Sequence, residues 1–313
     1  MIVKILIAGG AGFIGSNLSE YLLKKDISLV ILDSFITGSR NNLNAITNDP
    51  RVQIVEIDIS KSLDLDLKVD GIINLASPAS PIHYQKDPIY TFKSNVFGTY
   101  NLLNLAVKNN CRFLQASTSE IYGDPLITPQ SEDYWGNVNP TGIRSCYDES
   151  KRASESLIMD FYRKYQLDLK IMRIFNTYGP KMALEDGRVV SNFIVQALQN
   201  KPITIYGDGN QTRSFCFIDD ILVGIDKLFF SNIVGDPVNL GNPDPIKIID
   251  LAEEILKLCN SSSEIIFKSL PSDDPRQRHP SIDKAKNLLG WSPTINRING
   301  LSRTVEYFRS VLN

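Results

Sequence analysis

Gly9-Gly10-Ala11-Gly12-Phe13-Ile14-Gly15 follows the apolar run Ile5–Ala8 and leads into a helix-period segment, Phe13–Lys25. The glycines at 9, 12 and 15 have the spacing GxxGxxG. After a strand, such a turn lets the backbone bend tightly and approach a pyrophosphate. The unpaired N–H groups and the dipole at the start of the next helix then favour an anion. Asp33 closes the next apolar run, Leu29–Leu32. A carboxylate there would hydrogen-bond an adenosine ribose and repel a 2′-phosphate, and Ser34 stands where an arginine would welcome one. The stretch predicts a dinucleotide site that prefers NAD to NADP, built on Gly9, Gly12, Phe13, Ile14, Gly15, Asp33, Ser34 and Phe35.

Outward from this turn, Val52–Ile57, Gly71–Leu75, Arg112–Ala116 and Leu169–Ile174 read as further strands, with helical segments such as Phe13–Lys25 and Ile89–Asn109 between several of them. Apolar strands alternating with helices predict βαβ units, and hence an α/β fold with a doubly wound parallel (Rossmann) sheet covered on both faces. After about residue 176 prolines and glycines cluster and the elements shorten, apart from helices expected at Ile248–Cys259 and Leu301–Leu312. The expected division is 1–175 for the cofactor-binding domain and 176–313 for a smaller substrate-binding lobe, with segments around 214–241 returning to the first domain.

The chain has 313 residues, Lys+Arg 33 against Asp+Glu 35, a net charge of −2 and 42% hydrophobic residues. That is ordinary globular composition, with no electrostatic reason to expect nucleic acid or an acidic membrane as partner. The two histidines, His83 and His279, are far apart, and Cys111, Cys146, Cys216 and Cys259 lack zinc-ligand spacing. Neither a His/Cys metal site nor a disulfide framework is expected, and the thiols read as reduced cytosolic residues. The N-terminal apolar run is too short to span a membrane. It could pass for a signal segment, but the glycine turn that follows argues for a buried strand.

Tyr147-Asp148-Glu149-Ser150-Lys151 is a YxxxK. On a helix, i and i+4 share a face, so the ammonium can approach the phenol and lower its pKa toward a useful range. The tyrosine could then take a proton from an alcohol. Tyr21–Lys25 repeats the pattern on the first helix, away from the carboxyl ends of the strands where ligands bind, and is a decoy. Ser117-Thr118-Ser119-Glu120, at the end of the fifth strand, supplies the hydroxyl-rich context for Tyr147.

Together these residues resemble the extended short-chain dehydrogenase/reductase superfamily over essentially the whole chain. Its nucleotide-sugar branch fits best, because Tyr206-Gly207-Asp208-Gly209-Asn210-Gln211-Thr212-Arg213 resembles the segment that holds the nucleotide diphosphate there. The stretches 75–85, 116–125, 145–152, 173–182 and 186–193 resemble the UDP-glucuronate decarboxylases more closely still. The resemblance implies Tyr147, Lys151, Thr118, Ser119 and Glu120 as catalytic residues. It adds Asp58, Ile59, Leu75, Ala76, Ser77 and Lys93 to the NAD site, and assigns Asn176, Arg188, Tyr206, Arg213 and Arg278 to the UDP-sugar. Arg278 lies in Asp273-Asp274-Pro275-Arg276-Gln277-Arg278-His279-Pro280, which resembles those enzymes' DDPxxRxP. A homodimer through helices near 89–109 and 147–165 is implied too, although Leu102, Leu103 and Leu105 fit an interface or a core equally well. His83 borders the expected sugar site or bonds to a loop, and Cys146 gains no role from being next to Tyr147.

All branches would begin with Tyr147 deprotonating a sugar C4 hydroxyl. A 4,6-dehydratase then needs two placed carboxyl groups, whereas this strand end has Ser119-Glu120. A decarboxylase needs only an enolate-stabilising pocket, because a C4 ketone turns the C5 carboxylate into a β-keto acid. A 4-epimerase, which would reduce the ketone on its other face, is not separated by spacing. Nor is a non-catalytic NAD-binding scaffold excluded by fold, although such a protein should have lost Tyr147 or Lys151.

Overall fold

A computed structural model describes residues 3–270 and 277–312. Six strands fall in the first 175 residues: β1 (Lys4–Ala8), β2 (Ser28–Asp33), β3 (Val52–Glu56), β4 (Gly71–Asn74), β5 (Arg112–Thr118) and β6 (Leu169–Ile174). With the strand Pro237–Leu240 they form one parallel sheet in the order Pro237–Leu240, β6, β5, β4, β1, β2, β3. The order reverses between β1 and β4, and there the Gly9 turn opens.

The strands are apolar throughout because both faces are covered. Ile5, Ile7, Leu29 and Ile31 fall in one core cluster, while Leu6, Ala8, Val30 and Leu32 fall in another. This two-residue alternation with no polar side is what burial on both faces demands. Helices α1 (Phe13–Leu23) and α6 (Ile218–Phe229) close the first face. Helices α3 (Pro88–Asn109) and α4 (Ser145–Tyr165), with the short α2 (Pro81–Lys86) against them, close the second. Leu102, Leu103 and Leu105 belong to this second core.

The element boundaries depart from the sequence expectation where pairing or turn geometry takes over. β5 runs two residues past Ala116 because β6 keeps pairing with it, Ser117 opposite Arg173 and Thr118 opposite Ile174. α1 stops at Leu23, before a turn in which Asp26 has φ +58°. The last helix starts at Arg297 rather than Leu301. Pro237–Leu240, too short and polar to read as a strand, pairs along β6, with Asn239 opposite Arg173.

The later part of the chain holds α5 (Val189–Leu198), α7 (Ile248–Cys259), α8 (Asp283–Leu289) and α9 (Arg297–Leu312) with several two- to four-residue strands. One small sheet joins Pro245–Lys247, Thr212–Ser214 and Gln277–Arg278, and sets Arg278 opposite Arg213. Of the stretch Asp273–Arg278, residues 273–276 lie outside the described residues.

Candidate active site and cofactor groove

At the carboxyl ends of β1, β2 and β4 a groove is lined by Gly9, Gly12, Asp33, Ser34, Asp58, Ile59, Leu75, Ala76 and Ser77. Gly9 has φ +77°, and a Cβ on it would lie 2.7 Å from Ala76 Cα, so the turn requires glycine. Gly15 sits where a Cβ would be 2.2 Å from the Gly9 carbonyl oxygen. Gly12 is different. Its backbone (φ −74°, ψ 176°) suits any residue, and a Cβ would meet only Gly9 O at 3.3 Å. What a side chain at 12 would fill is the groove, at the start of a helix with neither a side-chain cap nor an acidic residue in its first turn. These residues fit a dinucleotide pyrophosphate.

Asp33 is buried and accepts 2.8 Å hydrogen bonds from the amides of Ala11 and Phe35, which aim its carboxylate. Burial pushes its pKa up, while the amides of Phe35 and Ala11 pull it down. Phe13 and Ile14 open α1 beside the groove without lining it, and Lys93 lies on the exposed side of α3. From α3 the groove is reached instead by Ser94 and by Tyr90, whose phenol feels Ser34 and Asp58. Tyr90 was not legible in the sequence, because nothing in the pattern of α3 says which face meets the β2 and β3 ends.

Tyr147 and Lys151 lie on α4, both buried. The Thr118 hydroxyl pulls the Tyr147 pKa down and accepts from the Glu120 amide at 3.2 Å. The expectation that Lys151 lowers the tyrosine pKa is corrected here. Burial raises the Tyr147 pKa to about 12, outweighing the pull of Thr118 and of the Arg188 charge, while Glu120 and Asp148 push it up further. The Lys151 ammonium lies 5.8 Å from the Tyr147 ring centre and donates instead to the Ala116 carbonyl at 3.0 Å. Burial drags its own pKa down to about 8, against the charge of Glu155.

That burial has a measurable cost. A lysine with a folded pKa near 8 and an unfolded pKa near 10.5 makes the unfolded chain the better proton binder between those values, so its contribution to stability rises with pH across that window. Below pH 8 it costs on the order of 3 kcal/mol. Lys151→Met is therefore expected to raise stability at pH 7 by about 1–3 kcal/mol while cutting turnover at least 100-fold. Urea unfolding alongside an activity assay checks both.

Glu120 lies in the helical turn Ser119–Tyr122 that follows β5. Arg278 forks onto both its carboxylate oxygens, and Arg144 Nη2 adds a third hydrogen bond at 2.6 Å. Burial alone would raise the Glu120 pKa, but the Arg278 and Arg144 charges win and hold it below the usual carboxylate range. Arg278, implied by the resemblance for the UDP-sugar, pairs here with Glu120. Tyr84 of α2 stacks on Tyr147, ring centres 5.1 Å apart and planes within 10°. Arg144, Tyr84 and Asp148 are site residues that the sequence reading missed.

Ser119 is buried beside Glu120. Arg188 leads into α5, 3.4 Å from Asp186. Arg213 is buried, Tyr206 is half-exposed, and the Asn176 carbonyl accepts from the Cys216 amide. Tyr21–Lys25 is spent elsewhere, with Lys25 paired to Asp226 at 2.6 Å. His83 bonds Ser80 at 2.7 Å. Among the described residues the four cysteines are free, no His/Cys/Asp/Glu cluster could hold a metal, and no helix is long and apolar enough to cross a membrane.

A parallel sheet with a glycine turn at its switch point and a Tyr–Lys pair beside it defines a nucleotide-dependent enzyme of the short-chain dehydrogenase type. The chain belongs to the NAD dependent epimerase/dehydratase family, whose model matches residues 5–241. Within it, the chain is 48% identical over 312 residues to UDP-glucuronic acid decarboxylase 3 of Arabidopsis thaliana, covering 99% of this chain and 90% of that one. It is 46% identical over 309 residues to UDP-glucuronic acid decarboxylase 1 of Xenopus tropicalis, covering 99% and 73%. Among solved structures, the UDP-glucuronic acid 4-epimerase of Bacillus cereus, in complex with UDP-glucuronic acid and NAD, superimposes with a TM-score of 0.90 at 30% identity, covering 99% and 100%.

Proposed function

We propose that this chain decarboxylates UDP-glucuronate to UDP-xylose, with NAD held by the groove at Gly9, Gly12, Gly15 and Asp33 and recycled in each turnover. The observation that carries the reading is Glu120 locked as an anion between Arg144 and Arg278. A carboxyl so paired cannot protonate a leaving hydroxyl, and Ser119 gives no second acid, which argues against dehydration. The same guanidiniums make the pocket receptive to a sugar carboxylate.

When bound, NAD supplies the oxidising equivalent at C4 and returns it at the end of the cycle. The chain's own residues handle protons and charge. The Tyr147 phenol, protonated in the free protein, first gives its proton to solvent, and the phenolate then accepts the C4 hydroxyl proton. With C4 a ketone, the C5–carboxylate bond breaks and its electron pair moves onto the C4 oxygen as an enolate, releasing carbon dioxide. Thr118 and the high-pKa Tyr147 phenol are placed to donate to that oxygen, in a pocket whose burial strengthens both hydrogen bonds. A proton then enters at C5, and Tyr147 gives its proton back at O4, so one proton is consumed for each carbon dioxide lost.

Residues 176–313 are proposed as mainly the nucleotide-sugar lobe, with Asn176, Arg188, Tyr206 and Arg213 toward the UDP moiety. A homodimer through α3 and α4 is proposed as well, supported by the exposed Ile89, Phe92, Phe97 and Tyr100 on α3. A cytoplasmic location is supported by the four unpaired thiols.

Proton NMR of the protein with UDP-glucuronate and NAD tests the activity. UDP-xylose is expected without stoichiometric NADH. A 4-keto pentose with NADH would show the same bond cleavage with early release. Accumulation of the C4 epimer alone would replace this reading with epimerisation, the reaction named for the Bacillus cereus neighbour.

A further inference from the structure

Two carboxyl groups share a buried cluster with two guanidiniums, and they are treated unequally. Glu120 takes three charged hydrogen bonds. Asp148, one turn after Arg144 on α4, has its Oδ2 3.9 Å from Arg144 Nε. Its Oδ1 is buried with no hydrogen-bond partner. Buried carboxyl oxygens are rarely left so, and no step of the proposed reaction uses this one.

The groups facing Asp148 come from several elements. Arg144 and Glu149 belong to its own helix, Glu120 to the turn after β5, and Arg278 to the later part of the chain. From α2 comes Tyr84, whose hydroxyl is likewise buried without a partner, whereas His83 turns away to Ser80. Burial, then the Glu120 charge, push Asp148 up to about 7 against the pull of Arg144 and Arg278. With both carboxyls ionised the four side chains are neutral overall. A ligand carboxylate entering between the guanidiniums would add a further negative charge beside Glu120 and Asp148.

We propose that Asp148 is a positioning residue that takes a proton from solvent when a carboxylate-bearing nucleotide sugar binds, leaving Glu120 and the ligand carboxylate to share Arg144 and Arg278. The proposal rests on the reading that the substrate carries a carboxylate. Its linkage has a definite sign. The ligand raises the Asp148 pKa above its free value, so between the two values the complex holds more protons than its parts. Affinity then falls as pH rises through that window, by about tenfold from pH 6 to pH 8.5.

The experiment is calorimetric titration of NAD-loaded Tyr147→Phe protein at pH 7, in buffers of different ionisation enthalpy. UDP-glucuronate should bind with net proton uptake, equal to the fraction of Asp148 left unprotonated beforehand. UDP-glucose, lacking the carboxylate, should bind with almost none. Adding Asp148→Asn, which keeps the side-chain shape, should abolish the uptake for UDP-glucuronate. Uptake that survives this change belongs to another group, such as His279 beside Arg278, and overturns the proposal. So does binding of UDP-glucuronate without uptake in the parent protein, a result that needs no Asp148 variant to fold. If UDP-glucose binds and UDP-glucuronate does not, the substrate reading itself fails and takes the proposal with it.

Discussion

Tyr147→Phe should cut turnover of UDP-glucuronate by about 10³-fold while NAD and UDP-sugar binding stay within a few-fold of the parent. The change removes one oxygen from a buried ring. Phe keeps the stack on Tyr84, and Thr118 retains its hydrogen bond from the Glu120 amide, so the fold should lose less than about 1 kcal/mol. What disappears is the group placed both to accept the C4 proton and to donate to the enolate oxygen. Its raised pKa makes the second role the easier one in the free protein, where the phenol keeps its proton throughout the neutral range. Single-turnover kinetics with NADH absorbance separate the roles. A variant that still forms a ketone slowly but fails to complete the cycle has lost mainly the donor. Wild-type turnover would remove Tyr147 from the chemistry altogether.

The fold was legible because its signals are local. Apolar runs and a glycine turn survive any tertiary context, and the six strands of the first 175 residues were found to within two residues at either end. Pro237–Leu240 was not read as a strand, because Pro237 and Asn239 break its apolar pattern and only the open edge of β6 makes it one. The Tyr147–Lys151 pair was visible as spacing, but spacing fixes a shared face and not an energy. Once α4 is packed, burial outweighs the lysine, whose ammonium turns to the Ala116 carbonyl.

Arg144 and Asp148 failed for a related reason. An Arg and an Asp four apart at a helix start look like one more solvated pair. Their meaning comes from Glu120 and Arg278, which lie 24 residues upstream and 134 downstream of Arg144 and arrive by way of β5 and the small sheet of the later part of the chain. Tyr84 likewise gains its role only when α2 docks on α4.

Gly15→Ala and Gly12→Ala should differ in stability yet agree in losing NAD, and the contrast separates what the chain needs from what a ligand needs. A methyl at 15 would meet backbone, Gly9 O at 2.2 Å and Gly10 Cα at 2.7 Å, so α1 must shift away from its turn. Overpacking of this kind costs about 1–3 kcal/mol, and the displaced helix end no longer points its N–H groups into the groove. At 12 the backbone is ordinary and the one close contact asks Gly9 O to give by only a few tenths of an ångström. Stability should therefore change by less than about 0.5 kcal/mol. Yet a methyl there occupies the space a pyrophosphate needs, and NAD affinity should fall by about 100-fold in both variants. Thermal melts with and without NAD read both quantities at once: Gly15→Ala melts lower even without cofactor, whereas Gly12→Ala matches the parent until NAD is added and then fails to rise with it. A Gly12→Ala protein that NAD stabilises as fully as the parent would mean that the glycine serves no ligand, and the groove would have to be read again from Asp33 outward.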